Sequence, residues 1–165
     1  MREVAVSKLG HDASNNAYVV LLQERDGERV VPIWIGRPEA EAIAAQLNDV
    51  KRARPMTHDL LASVLIAAGA TLRRVNITKV EDNTFFAELH VMRHGAPVIV
   101  DARPSDAVAL ALRVNAPIYV AEALLGDDEE GQEFAPQPEA DELTANELQR
   151  YLEQLRPEDL GKFSP

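Results

Sequence analysis

The sequence predicts an α+β fold: antiparallel or mixed sheets built from hairpins, with inserted helices, in a single domain followed by an acidic helical tail. Three observations lead there. The dipeptides Asp26-Gly27 and Asp82-Asn83 each separate two runs of strand-forming residues and read as hairpin turns. Helical periodicity appears in separate stretches, three of them preceded by an Arg-Pro pair. Charge then divides the chain: residues 126–165 hold twelve acidic and three basic side chains, out of 27 and 17 in the whole. The domain at 1–125 is therefore nearly neutral, and the tail carries almost all of the net charge of −10.

Residues 4–9 alternate apolar with polar and predict a strand. Residues 18–24 and 29–35 flank the first turn as a hairpin, which Gly36 ends. Ala40, Ile43, Ala44 and Leu47 then fall at i, i+3, i+4, i+7, one face of a helix. A basic linker, Lys51-Arg52-Ala53-Arg54, leads to the next helix. There Thr57 is the expected N-cap, His58 and Asp59 lie in the first turn, and Gly69 closes the C-terminus.

Residues 72–80 and 84–93 form the second hairpin, and His94-Gly95 turns the chain into a strand over 98–101. Ser105 is expected to cap a third helix, whose residues 107–113 are apolar except for Arg113 at the end. Such a helix is buried on most sides. Pro117 is expected to stop it before a last short strand at 118–120. Beyond lie a linker at 126–142, with Pro136 and Pro138, and a polar helix at 143–155 carrying Leu148, Tyr151, Leu152 and Leu155 on one face. Trp34 reads as a core or interface anchor.

Composition narrows the function. The chain has no cysteine, which excludes disulfides, zinc-thiolate sites and cysteine nucleophiles. No stretch is long and apolar enough to span a bilayer, and the N-terminus lacks the apolar core of a signal peptide, so a cytoplasmic protein without membrane contact is expected. A near-neutral core disfavours tight non-specific binding to nucleic acid but leaves room for a local basic cleft. His11, His90 and His94 show no helical i, i+4 metal spacing. Aromatic content of 5% does not supply an extended base-stacking surface.

Four of the ten prolines follow an arginine: Arg37-Pro38, Arg54-Pro55, Arg103-Pro104 and Arg156-Pro157. Proline holds the preceding residue extended and itself fits a first helical turn, so each pair sets a cation beside a helix N-terminus. Such termini favour anions. At Arg54–Asp59 this is either an anion site with His58 able to move a proton, or an ordinary capped helix start with His58 merely exposed. At Asp101–Asp106, two carboxylates, Arg103 and Ser105 converge: either Asp101 and Asp106 hold a divalent ion such as Mg²⁺ while Arg103 grips a phosphate, or Arg103 and the acids form an internal structural pair. Glu39 is a first-turn acid or a site acid by the same logic. Arg156-Pro157 reads as local helix punctuation.

In order along the chain, Val31-Pro-Ile-Trp-Ile-Gly36, Arg54-Pro-Met-Thr-His-Asp-Leu60, Asp82-Asn-Thr-Phe85 and Arg103-Pro-Ser-Asp-Ala107 resemble the bifunctional nuclease family, named for plant members that cleave both DNA and RNA. The similarity covers roughly residues 1–125. It departs at Met56, where the family commonly has leucine, and at Arg37-Pro38, where members vary. The resemblance implies an α+β domain that associates through its sheets into homodimers or larger homo-oligomers. It also implies a nuclease acting on DNA and RNA. The motif positions it carries over are Glu39, His58, Asp59, Arg103, Ser105 and Asp106.

On that reading His58, Asp59, Arg103 and Asp106 are the candidate catalytic residues. Arg54, Thr57 and Ser105 are the candidate phosphate ligands, and Asp101, Asp106 and Glu39 would hold Mg²⁺ or Mn²⁺. No organic cofactor is expected. The alternative is a non-enzymatic oligomeric regulatory module, or one that binds an anion or nucleotide without cleaving it.

Overall fold

Hairpin formation sets the frame, and the local signals for it are strong. In the computed structural model, which describes residues 1–12 and 17–126, seven strands join in one mixed sheet. The strands β1 (Arg2–Asp12), β2 (Ala17–Glu24) and β3 (Val30–Ile35) pair antiparallel in sequence order. So do β4 (Ala70–Glu81), β5 (Thr84–Arg93) and β6 (Ala96–Ala102). Asp82 and Asn83 both take positive φ, 48° and 58°, and so do His94 and Gly95, 49° and 81°. Two consecutive left-handed residues are what a tight two-residue hairpin turn requires.

The short strand β7 (Ile118–Val120) welds the two meanders together. It pairs antiparallel with β1 and parallel with β4, giving the order β3-β2-β1-β7-β4-β5-β6. The parallel step requires a crossover, which a helix between β6 and β7 supplies.

That helix is α3 (Pro104–Val114), and it is the centre of the core. Ala107, Val108, Ala109, Leu110 and Ala111 are fully buried, packed with Val75 and Ile77 of β4 and Leu89 of β5. Small residues on most of its faces let neighbours approach closely, and α3 touches both other helices, α1 (Arg37–Leu47) and α2 (Thr57–Ala67). α1 buries Ala40, Ile43 and Ala44, whereas α2 has no buried residue and leaves Leu60, Val64 and Ile66 exposed.

Several local expectations are corrected. The N-cap of α2 is Met56 rather than Thr57, and that of α3 is Arg103 rather than Ser105; neither Thr57 nor Ser105 caps through its hydroxyl. Arg37 lies inside α1 instead of before it, and Pro55 stands ahead of α2, which begins at Thr57. α3 stops before Pro117 because Asn115 turns left-handed at φ 54°. Gly69 has φ 65° just beyond the last turn of α2, the termination expected of a glycine. Trp34 lies on the edge strand β3 and is exposed, so it is no core anchor. The expected linker and helix of the tail, and Arg156-Pro157 with them, lie outside the described residues. Among the described residues no helix is long and apolar enough to cross a membrane.

Leu110 has no exposed surface and sits where helix and sheet layers meet. Leu110→Ala is expected to lower unfolding free energy by about 2–5 kcal/mol, read from urea denaturation. Leu60→Ala, on the exposed face of α2, should change it by less than about 1 kcal/mol.

Candidate functional site

The first turns of all three helices open onto one cleft. Pro38, Glu39 and Glu41 come from α1, Thr57, His58 and Asp59 from α2, and Arg103 and Asp106 from the start of α3; Arg52 and Arg113 complete the charged lining. The cleft encloses about 330 Å³. Each of the three Arg-Pro pairs in the described chain thus leads into the same depression from a different point in the sequence.

The three helices share a further regularity. Counting from the cap, Glu39, Asp59 and Asp106 each occupy the third helical position. A carboxylate there complements the positive end of the helix dipole. Convergence of three such ends on one cleft would otherwise leave a strongly positive field.

Asp59 performs two tasks. Its Oδ2 accepts the Met56 backbone N–H at 2.8 Å, satisfying one free donor of α2, and its Oδ1 accepts from Arg113 Nε at 2.5 Å. Burial alone would raise this carboxyl, but the Met56 amide and the Arg113 guanidinium outweigh it and hold the group below the ordinary aspartate value. Arg113 is itself only 7% exposed. It also donates to the carbonyls of Ala109 at 2.8 Å and Ala42 at 3.1 Å, so one buried guanidinium joins α1, α2 and α3. Arg113 is not among the site residues expected from sequence, although it is the one charge ending an otherwise apolar helical run.

Asp106 is the second hub. Arg103 donates to it from Nε at 2.7 Å and Nη2 at 3.2 Å, a bidentate pair. His58 Nε2 lies 3.0 Å from Asp106 Oδ1. An ionised carboxylate can only accept, so His58 Nε2 carries the proton and Nδ1 is left as the basic nitrogen. Burial pushes the Asp106 carboxyl up, while the bonds from Arg103 and His58 outweigh that effect and leave it lowered, hence ionised near neutral pH. The Asp106 contact in turn raises Arg103 further. Arg103 Nη1 reaches Glu39 Oε1 at 3.0 Å, closing a chain Glu39–Arg103–Asp106–His58 across the three helices.

Of the expected site residues, Glu39, Thr57, His58, Asp59, Arg103 and Asp106 meet here. Three do not line the cleft. Ser105 is buried within α3, Arg54 is exposed on the linker, and Asp101 lies exposed on β6 across from Glu88. The expected metal ligands therefore do not gather: Asp101 stands apart, and a guanidinium lies between Glu39 and Asp106 where a divalent ion would need room. Among the described residues no group of three or more His, Asp or Glu side chains is arranged to hold a metal. Arg52 is the addition: it lines the cleft and has no hydrogen-bond or ion-pair partner among the described residues. In sequence it showed only as part of a basic linker.

Comparison with known proteins is consistent with the motif resemblance. The model of the bifunctional nuclease domain matches residues 20–133. An uncharacterized protein of Mycobacterium tuberculosis (strain ATCC 25618 / H37Rv) is 39% identical over 165 residues, covering 96% of this chain and 98% of its own length. Bifunctional nuclease 1 of Arabidopsis thaliana is 29% identical over 86% of this chain, which spans 46% of the plant protein. Bifunctional nuclease 2 of the same plant is 28% identical over 84% of the chain, which spans 44% of it.

Replacing Arg113 with methionine keeps its bulk but strips Asp59 and the Ala42 carbonyl of their donor. Arg113→Met is expected to cost about 2–3 kcal/mol in denaturant unfolding, and the loss should be non-additive with Asp59→Asn. The pH dependence follows from the lowered carboxyls. The stabilisation from Asp59 and Asp106 is complete above their unfolded value of about 3.9 and disappears as pH falls through their lower folded values. Thermal unfolding of the wild type should therefore steepen in pH dependence below about pH 4, and Asp59→Asn and Asp106→Asn should each flatten that acid limb.

Proposed function

The chain belongs to the bifunctional nuclease domain family, and from that premise we propose that its cleft hydrolyses phosphodiester bonds of DNA and RNA. The observation that carries the reading is the convergence of three helix N-termini, an imidazole fixed by a carboxylate, and guanidinium groups on one open cleft. Helix N-termini and arginines both favour a phosphate, and Arg52 meets an incoming anion without first breaking a bond. Among the described residues nothing aromatic except the His58 ring lines the cleft. Recognition through the backbone rather than through stacked bases fits a substrate range that includes both nucleic acids.

In the proposed reaction the phosphodiester lies against Arg103 and Arg52, with Arg54 on the adjoining linker contacting a neighbouring phosphate. His58 Nδ1 accepts a proton from a water molecule as its oxygen forms a bond to phosphorus. The bond from phosphorus to the departing ester oxygen breaks, and that oxygen takes up a proton from solvent water. Asp106 orients the ring and stabilises the imidazolium, while Arg103 balances charge on the phosphoryl oxygens.

No place in the reaction is assigned to Mg²⁺ or Mn²⁺, because the Arg103 guanidinium lies between Glu39 and Asp106 and Asp101 stands apart on β6. The exposed apolar residues of edge strand β6, Val98, Ile99 and Val100, support association with further copies of the chain. A cytoplasmic location completes the proposal. The second reading, binding of an anion without turnover, draws support from the fact that the first-turn acids are each already paired with an arginine.

The test is cleavage of single- and double-stranded DNA and RNA with Mg²⁺, Mn²⁺ or EDTA, using variants purified in parallel. His58→Ala is expected to lower the rate about 10²–10⁴-fold, and Asp106→Asn should lower it in the same direction. Equal cleavage by folded wild type and both variants would remove His58 and Asp106 from the mechanism. Binding without any cleavage would establish the second reading.

A further inference from the structure

Glu39 and Arg103 are unequally placed. The Arg103 side chain is 66% exposed and that of Glu39 only 18%, so the cation faces solvent and the carboxylate lies behind it. Three nitrogens of the guanidinium are already engaged by carboxylate oxygens, Nη1 by Glu39 and Nε and Nη2 by Asp106. Of its five N–H groups two remain for a further acceptor, and a phosphate that approaches Nη1 meets the Glu39 carboxylate there.

Gly36 makes room for Glu39 where it lies. Its Oε2 lies 2.5 Å from the point a Cβ on Gly36 would occupy, so the missing side chain of that glycine is what lets the carboxylate fold back over the start of α1. Gly36 has φ −79° and ψ 164°, a backbone open to any residue. The glycine thus leaves space for this position of the Glu39 carboxylate and is not needed for conformational freedom.

We propose that Glu39 is an internal competitor for phosphate: its carboxylate occupies, on Arg103 Nη1, the place of a phosphodiester oxygen, and ligand binding is an exchange of one anion for the other. Asp106 keeps its hold on Nε and on His58 throughout, so the imidazole stays oriented while Nη1 changes partner. Affinity for the backbone is then set by how readily Glu39 leaves. The inference rests on the cleft being a phosphodiester site, but not on turnover there.

The experiment measures binding of a single-stranded oligo(dT) and of inorganic phosphate to the full chain in EDTA. Glu39→Gln is expected to tighten oligonucleotide binding about two- to fivefold at low salt, and the gain should shrink as salt is raised. Arg103→Gln weakens binding, and adding Glu39→Gln to it restores nothing. Gly36→Ala, which keeps the charge of Glu39 but displaces its carboxylate, shifts affinity in the same direction as Glu39→Gln.

Unchanged or weaker binding by Glu39→Gln in EDTA overturns the proposal. So does tightening that persists on the Arg103→Gln background, since it would then reflect long-range charge rather than competition. Weakening confined to Mg²⁺-containing buffer would make Glu39 a metal ligand and overturn it as well. Cleavage separates the two readings: tightened binding without hydrolysis keeps the competitor and removes the nuclease, and hydrolysis with unchanged binding does the reverse.

Discussion

A buried guanidinium must find acceptors for its donors, and in this protein that requirement fixes the helices. Arg113 ends the helix that fills the core, and its side chain is nearly sealed from water. Its partners are a carboxylate on α2, a carbonyl of α1 and a carbonyl one turn back on α3. Moving α1 or α2 away would leave the nearly sealed Arg113 guanidinium without one of its acceptors. α2 gains from the clamp, because it buries no residue fully and rests on the core only through partly buried residues such as Ala62 and Leu65. The cleft exists because these three helix starts are held at fixed separation.

That convergence creates an electrostatic problem with a consistent solution. Three positive dipole ends share one cleft, and each helix supplies an acid at its third position. Two arginines then bind the three acids, one from within and one at the solvent face. The inner pair, Arg113 with Asp59, is structural by its burial. The outer group, Arg103 with Glu39 and Asp106, is reachable from water and tied to the only imidazole of the cleft among the described residues. Burial separates two arginines of similar bonding into a fastener and a candidate ligand site. The same distinction explains why paired carboxylates alone do not decide between a structural and a functional role.

Much of the architecture was legible in local chemistry. Turn residues marked the hairpins because only a few residue types accept left-handed backbone without cost, and Asp82, Asn83, His94 and Gly95 adopt it. The apolar run of α3 announced its burial. Capping was read less well: the expected hydroxyls of Thr57 and Ser105 do not cap, and at α2 the acid two residues after Thr57 binds the backbone instead. A cap hydroxyl accepts from an N–H two or three residues on, whereas the third-position acid accepts from the cap residue's own N–H, so the acid at Asp59 does not require a hydroxyl at the cap. The strand pairing of β7 was also out of reach, because a parallel partner is chosen by what the crossover helix packs against.

For the site, the sequence by itself determined the ingredients: Arg-Pro before helices, acids in first turns, His58 beside Asp59, and a basic linker carrying Arg52. These follow from short-range rules of backbone geometry and helix electrostatics, which act within a few residues. Only the tertiary structure decided which ingredients share a volume. It joined Glu39 to Arg103 across 64 positions and His58 to Asp106 across 48, brought in Arg113 and Arg52, and left Asp101 on a different surface. The physical reason is that such contacts depend on how α3 is buried between the sheet and the other helices, and that packing is a property of the whole chain rather than of any segment within it.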